Sequence, residues 1–234
     1  METKYIGSPE GLKASIVGVG CNAFGKRIDE AATHAVIDAA LEAGMNFFDT
    51  AETYGGGLSE EFIGNGLKGR RDEVVLATKF GHSHSNVEGK KKGSPENIKA
   101  TAEKALKALK TDRIDLFQQH RPDHETPVSE TLGALENLVQ EGKILFYGCS
   151  YYTGREMQEA VDEAARCSLK GFVTAQNSWN MLARDIEKDL IPVCEHNNIG
   201  LLPYYPIAKG LLTGRYKRGD EPEPGSRMDG ANDI

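Results

Sequence analysis

Short apolar runs alternate with amphipathic stretches along nearly the whole chain, and this alternation narrows the possible folds more than any other feature. The runs lie at 16–20, 46–49, 74–79, 114–120, 144–150, 172–177 and 199–205. Their lengths and their β-branched and aromatic content read as strands. The stretches between them repeat apolar residues at helical spacing, as Ala32, Val36, Ala39 and Ala40 do in 29–43. Asp29 and Ser59 read as N-caps of the first two helices, and Glu60 and Glu61 suit the positive end of the second. Pro95 starts the third helix, with Ile98, Ala102, Ala105, Leu106 and Leu109 on one face. Further helices are expected at 128–140, 155–166 and 186–197, with Pro192 bending the last. Residues 4–15, punctuated by Gly7, Pro9 and Gly11, read as a short hairpin ahead of the main fold.

Strands alternating with helices predict a parallel α/β sheet. Seven such units in 234 residues suit a (β/α)8 TIM barrel better than an open doubly wound sheet. The open sheet would hold a nucleotide in an early glycine-rich turn. Gly64-Asn-Gly66-Leu-Lys-Gly69 has that spacing, but it ends a helix and leads into a strand, the reverse of the required order. It reads as a helix terminus. The barrel domain is expected over 1–216, and 217–234 has the composition of an exposed loop or disordered tail.

Barrels of this kind carry their chemistry at the C-terminal rim. Here the strand ends read Asp49, Lys79, His120, Ser150, Gln176 and Tyr204. Tyr54 follows Asp49 in a loop that Gly55, Gly56 and Gly57 make flexible. Taken singly, each has a plain structural role: Asp49 as a cap, Tyr54 and His120 as core, Lys79 with its head in water. Six polar residues at successive strand ends argue for a site instead. A free tyrosine, with a pKa of about 10, is a poor proton donor near neutral pH. A lysine beside it would stabilise the tyrosinate, and an aspartate would hold the lysine charged. A histidine would hydrogen-bond a carbonyl oxygen. Asp49, Tyr54, Lys79 and His120 thus make a proton-delivery site for a carbonyl. No side chain donates hydride, so a reduced nicotinamide is the natural electron source.

The net charge of −7 argues against a nucleic-acid or anionic-membrane surface. No apolar run has the length of a membrane span, and the polar N-terminus lacks a signal-peptide core. Cys21, Cys149, Cys167 and Cys194 form no C-x-x-C pair, which suits free thiols in a reducing cytoplasm. His82 and His84 have the spacing of a metal pair, but no carboxylate cluster accompanies them, so no metal is expected. Lys90, Lys91 and Lys92 read as a solvated loop. Ser150 lacks partners at the spacing of a nucleophile motif.

The chain resembles the aldo-keto reductase family. The resemblance rests on Phe48-Asp49-Thr50-Ala51 with Tyr54-Gly55 and Ser59-Glu60, on Ala77-Thr78-Lys79, and on Asp112 to Leu116 followed by His120. Gly142-Lys143-Ile144, Gly148-Cys149-Ser150, Gln176-Asn177, Tyr204-Tyr205-Pro206 and Gly210-Leu211-Leu212-Thr213-Gly214 complete it. It implies reduction of an aldehyde or ketone by NADPH, with NADH open. It also implies Tyr54 as proton donor, Lys79 as its activator, Asp49 as the partner of Lys79 and His120 as the carbonyl-orienting group. Ser150 and Gln176 would hold the nicotinamide carboxamide, and Tyr204 would stack on the nicotinamide ring. Lys209, Gly210 and Leu211 would approach the pyrophosphate. Gly20 and Cys21, with Asp49, are assigned to the cofactor side.

Two departures stand out. Tyr151 follows Ser150 where the family often has asparagine, and Trp179 stands where tyrosine is common. The family's eighth strand and 2′-phosphate loop are not recognisable before Ile234, so the sequence is expected to be a fragment of a longer chain. Two other functions compete with the enzyme: a cofactor-binding regulatory subunit without turnover, and an inactive remnant of the fold. The substrate is expected to be a small carbonyl compound; its identity and the oligomeric state are not legible.

Overall fold

A computed structural model describes residues 1–82 and 88–217, together with 219, 221, 222 and 224. Strands β1 (Thr3–Ile6) and β2 (Leu12–Ser15) pair antiparallel, the expected hairpin. Gly7 turns between them at φ +78°, and a Cβ there would lie 2.6 Å from the Asn198 carbonyl oxygen. Only glycine lets the hairpin approach that backbone.

Seven parallel strands follow in one sheet: β3 (Gly18–Gly20), β4 (Phe47–Asp49), β5 (Val75–Phe80), β6 (Ile114–Gln119), β7 (Ile144–Ser150), β8 (Thr174–Gln176) and β9 (Gly200–Leu201). Helices α1 (Glu30–Glu42), α2 (Leu58–Gly66), α3 (Pro95–Ala108), α4 (Val128–Gln140), α5 (Gly154–Arg166) and α6 (Leu190–His196) fill the crossovers. Strands adjacent in sequence are adjacent in the sheet, so the units wind one way and the sheet curls as a part-barrel of the (β/α)8 type. Among the described residues, β3 and β9 each have one strand neighbour.

The register divides the strands into two environments. Outward residues such as Leu76, Phe117, Tyr147 and Cys149 pack with Ile37, Ile63, Ile98, Leu132, Leu135 and Met157 of the helices. Each such burial contributes about 1.5–3 kcal/mol. Inward, Phe47, Ala77 and Leu116 meet Leu12 and Ala14 of the hairpin, which plugs the N-terminal end. Because side chains alternate along a strand, Asp49, Lys79 and Gln118 lie on the same inner face one step nearer the opposite mouth.

Several elements begin as their residues dictate. The Asp29 carboxylate accepts the Ala32 N–H, Ser94 accepts that of Asn97 with Pro95 at the first helical position, and Thr153 and Glu156 form a capping box. Others differ. Ser59 does not cap: α2 begins at Leu58 after Gly57 at φ +100°, and the Ser59 hydroxyl instead donates to Cys21 O at 3.2 Å and meets Thr50 Oγ1 at 2.8 Å. The stretch 186–197 divides into a 3-10 turn, Asp185–Glu187, and α6. Pro192 falls in the first turn of α6, where an N–H has no intrahelical acceptor, so it does not bend the helix. The first and last strands of the sheet are shorter than expected. Ser15 Oγ donates to Val17 O, turning the chain out of the hairpin before β3, and Pro203 brings no N–H to extend β9. Gly64 and Gly66 sit in α2, where a Cβ on Gly64 would lie 2.7 Å from the Leu109 carbonyl carbon and one on Gly66 2.8 Å from the His34 ring, so these glycines serve close packing at the end of a helix. Cys21, Cys149, Cys167 and Cys194 are free thiols. Among the described residues no helix is long and apolar enough to cross a membrane. Most of 217–234, and His84, lie outside the described residues.

Candidate active site

At the C-terminal mouth of the sheet, the Lys79 side chain is 1% exposed, and its ammonium donates to Asp49 Oδ1 and Oδ2, each at 2.8 Å, and to Thr50 O at 2.7 Å. Gln118 Nε2, from the next strand, donates to Asp49 Oδ1 at 3.2 Å. Burial pushes the Lys79 pKa down, but the charge of Asp49 and the neighbouring Tyr54 more than offset this, and the net direction is upward. The ammonium stays charged in the interior because its donors are satisfied.

Tyr54 stands above this pair. It leaves β4 through the 3-10 turn Tyr54–Gly57, whose glycines have φ of 59°, 69° and 100°. A Cβ on Gly55 would lie 2.6 Å from Phe24 O, so this turn needs glycine. The Lys79 ammonium lies 5.2 Å from the Tyr54 ring centroid. Burial raises the Tyr54 pKa more than the lysine lowers it. The lysine acts in the expected direction, but the net lowering expected from sequence is absent: in the folded protein desolvation wins.

His120 completes the group. Its backbone N–H donates to Phe80 O at 2.7 Å, and its ring meets Tyr54 edge-on with centroids 6.1 Å apart. Nδ1 lies 3.6 Å from Glu52 Oε2. The structure therefore brings Asp49, Tyr54, Lys79 and His120 together.

A cavity of about 1190 Å³ opens beside them and runs down the seam between β3 and β9 to the hairpin. Gly20, Asp49, Tyr54, His120, Ser150, Gln176, Tyr204, Lys209 and Gly210 line it. Ser150 Oγ donates to Gln176 O at 2.8 Å, and Tyr204 lies between Tyr151 and Tyr205, each ring 5.2 Å away. Burial and the bond to Tyr151 hold the Tyr204 phenol well above its ordinary pKa. Lys209 and Gly210 turn with φ of 56° and 102°.

Two expected cofactor residues do not line this cavity. The Cys21 thiol is buried in the core shared with the helices, its Sγ donates to Val19 O, and Asn22 lines the cavity instead. Leu211 also falls outside the lining: the 3-10 turn Ala208–Thr213 faces Lys209, Gly210 and Thr213 to the cavity and turns Leu211 and Leu212 away. Sequence reasoning missed Gln118 and Glu52. Gln118 shares the strand parity of Leu116 and His120, which was a usable signal; Glu52 lies in the loop, where no periodicity says which way it points. Tyr151, the departure after Ser150, sits at φ +63°, a conformation asparagine adopts more readily than tyrosine. Arg121 lies 3.4 Å over its ring and holds it there. Among the described residues no group of three metal-ligating side chains occurs; His82 stacks near His120 at 5.0 Å.

Residues 16–233 match the model of the Aldo/keto reductase family. The chain is 36% identical over 213 residues to a probable aldo-keto reductase 1 of Glycine max, covering 88% of this chain and 60% of that protein. It is 34% identical over 230 residues to a probable voltage-gated potassium channel subunit beta of Arabidopsis thaliana, covering 95% of this chain and 69% of that one.

Proposed function

The chain belongs to the aldo/keto reductase family, and we propose that it reduces an aldehyde or ketone with hydride from a bound nicotinamide, NADPH by preference, and a proton from Tyr54. The observation that carries this reading is the buried Lys79–Asp49 pair beneath Tyr54, with His120 at its edge and an open cavity before both. Ser150, Gln176 and Tyr204 line the same cavity as Tyr54 and His120, so a nicotinamide held by the first three would sit beside the phenol and the imidazole. The cavity wall carries Lys209 and Arg215 in a chain of net charge −7, a donor set that fits an anionic cofactor. The cofactor supplies the hydride when bound.

This chain's residues do the rest. The Tyr54 phenol gives its proton to the carbonyl oxygen. The Lys79 ammonium lowers the cost of the tyrosinate left behind. Asp49, steadied by Gln118, keeps that ammonium in place, and Thr50 O accepts its third hydrogen bond. His120 orients the carbonyl. Ser150 and Gln176 would hold the nicotinamide amide, Tyr204 would cover the ring, and Lys209 and Gly210 would meet the pyrophosphate. Localisation in the cytoplasm is part of the same reading.

A second reading, a cofactor-binding regulatory subunit without turnover, is favoured by the likeness to the channel subunit beta. Following NADPH absorbance against a panel of aldehydes and ketones separates the two. Turnover that falls by about 10²–10⁴ in Tyr54→Phe with cofactor binding kept supports the enzyme. Cofactor binding without turnover supports the subunit, and absence of cofactor binding supports an inactive remnant.

A further inference from the structure

Glu52 lies between Asp49 and Tyr54 in sequence, yet none of the roles above uses it. Its side chain is 2% exposed, deep enough that an idle carboxylate there would be costly. Oε1 accepts the His82 N–H at 3.2 Å, fixing the carboxylate against the start of the loop after β5. Oε2 lies 3.6 Å from His120 Nδ1, on the buried side of an imidazole that lines the cavity. That separation is longer than a hydrogen bond but short enough for the carboxylate's field to decide which ring nitrogen holds the proton. Which nitrogen faces the ligand is set by the partner of the other.

We propose that Glu52 is a positioning residue that sets the tautomer of His120, holding the ring proton on Nδ1 so that the neutral imidazole presents a bare Nε2 to the cavity. The neutral ring then accepts a hydrogen bond and suits an alcohol, whose O–H donates to Nε2. To donate to a carbonyl oxygen the ring takes up a second proton, which the Glu52 carboxylate balances. The pair thus ties which ligand the ring binds, alcohol or carbonyl, to the protonation of one imidazole. This consequence rests on the proposed carbonyl chemistry; the tautomer itself does not.

Among the described residues, Tyr54 and His82 lie beside the ring, and Lys79 and Glu60 lie within range of the carboxylate. Glu52 also biases Lys79 and Glu60, so spectroscopy on the whole chain decides the matter and kinetics follow. The probe is the 15N spectrum of the His120 imidazole, assigned by its loss in His120→Asn. The neutral ring is expected as Nδ1–H with a bare Nε2, and Glu52→Leu is expected to move most of the population to Nε2–H, with Glu52→Asp restoring the original form. A wild-type ring already in the Nε2–H form, measurable whether or not any variant folds, overturns the proposal, as does a spectrum unchanged in Glu52→Leu. In turnover assays, aldehyde reduction by the wild type falls about tenfold per pH unit on the alkaline side of a one-proton limb, and this limb disappears in Glu52→Leu. A limb that persists unchanged in the variant counts against the proposal. Absence of turnover in both proteins sinks the enzyme reading while leaving the spectroscopic result intact.

Discussion

The two ends of the sheet each hold a cation on a carboxylate, half-buried at one end and buried at the other, and they differ in what surrounds the pair. At the N-terminal end Arg71 Nη2 lies 2.6 Å from Asp115 Oδ2, which also accepts the Leu76 N–H. The other Arg71 nitrogens donate to Thr111 Oγ1 and Val74 O, and Nη2 also donates to Arg113 O. Every partner there belongs to the frame, and the hairpin closes the inner face nearby. At the C-terminal mouth Lys79 and Asp49 are as well bonded, but Tyr54, His120 and an open cavity stand over them. One pair ties strands together; the other directs its field at a phenol. Satisfied hydrogen bonds keep both pairs in the interior, and only the groups above a pair decide whether it has chemistry to do.

Breaking each pair tests that contrast. Lys79→Met should have the largest effect: turnover falls by 10³ or more, on the order expected for loss of acid catalysis, and the stranded Asp49 carboxylate costs about 3–5 kcal/mol of stability. Turnover surviving in the folded variant would contradict the assignment. Arg71→Met should cost about 3 kcal/mol, the low end for a buried pair because Arg71 keeps some exposure, while kcat per folded molecule stays within about twofold. A folded Arg71→Met protein without activity would erase the difference between the two ends.

A third carboxylate sharpens the comparison. Glu60 is 2% exposed, donates nothing to the cavity and accepts the Thr78 hydroxyl at 2.6 Å; burial raises its pKa from 4.5 to about 7. A raised folded value means that the protonated form favours the fold. Its contribution is full below about pH 4.5 and is lost as pH rises to about 7, an effect of about 3 kcal/mol. Denaturant unfolding of Glu60→Gln at several pH values should lack this decline and leave the variant more stable at pH 8. An identical decline in both proteins would assign it to other groups. The smallest effect is expected at Thr153, whose hydroxyl accepts the Glu156 N–H at 3.3 Å at the start of α5. Thr153→Ala should lower stability by about 1 kcal/mol without changing kcat, since a cap lies outside both pairs; altered kinetics would show that α5 couples to the mouth.

Much of this was legible residue by residue. Asp29 and Ser94 start their helices because a short acceptor side chain meets exposed N–H groups, which is a local matter. Ser59 has the same chemistry, yet Cys21 O and Thr50, 38 and 9 residues away, claim its hydroxyl. Asp49, Lys79 and His120 were visible because each ends an apolar run. Cys21 also ends one, but the chain turns as it leaves β3 and sends the thiol into the core. The expected fall in the Tyr54 pKa failed for a related reason: a lysine's sign is in the sequence, whereas the depth of burial is not.

The order of strands and helices, the barrel type and the polar residues at the strand ends follow from the linear sequence, because hydrophobic periodicity and capping act over a few residues. Which side chains face the cavity, how far desolvation outweighs a neighbouring charge, and that Glu52 backs His120 follow only from the folded chain. Those properties depend on distances between residues far apart along it, and no local pattern encodes them.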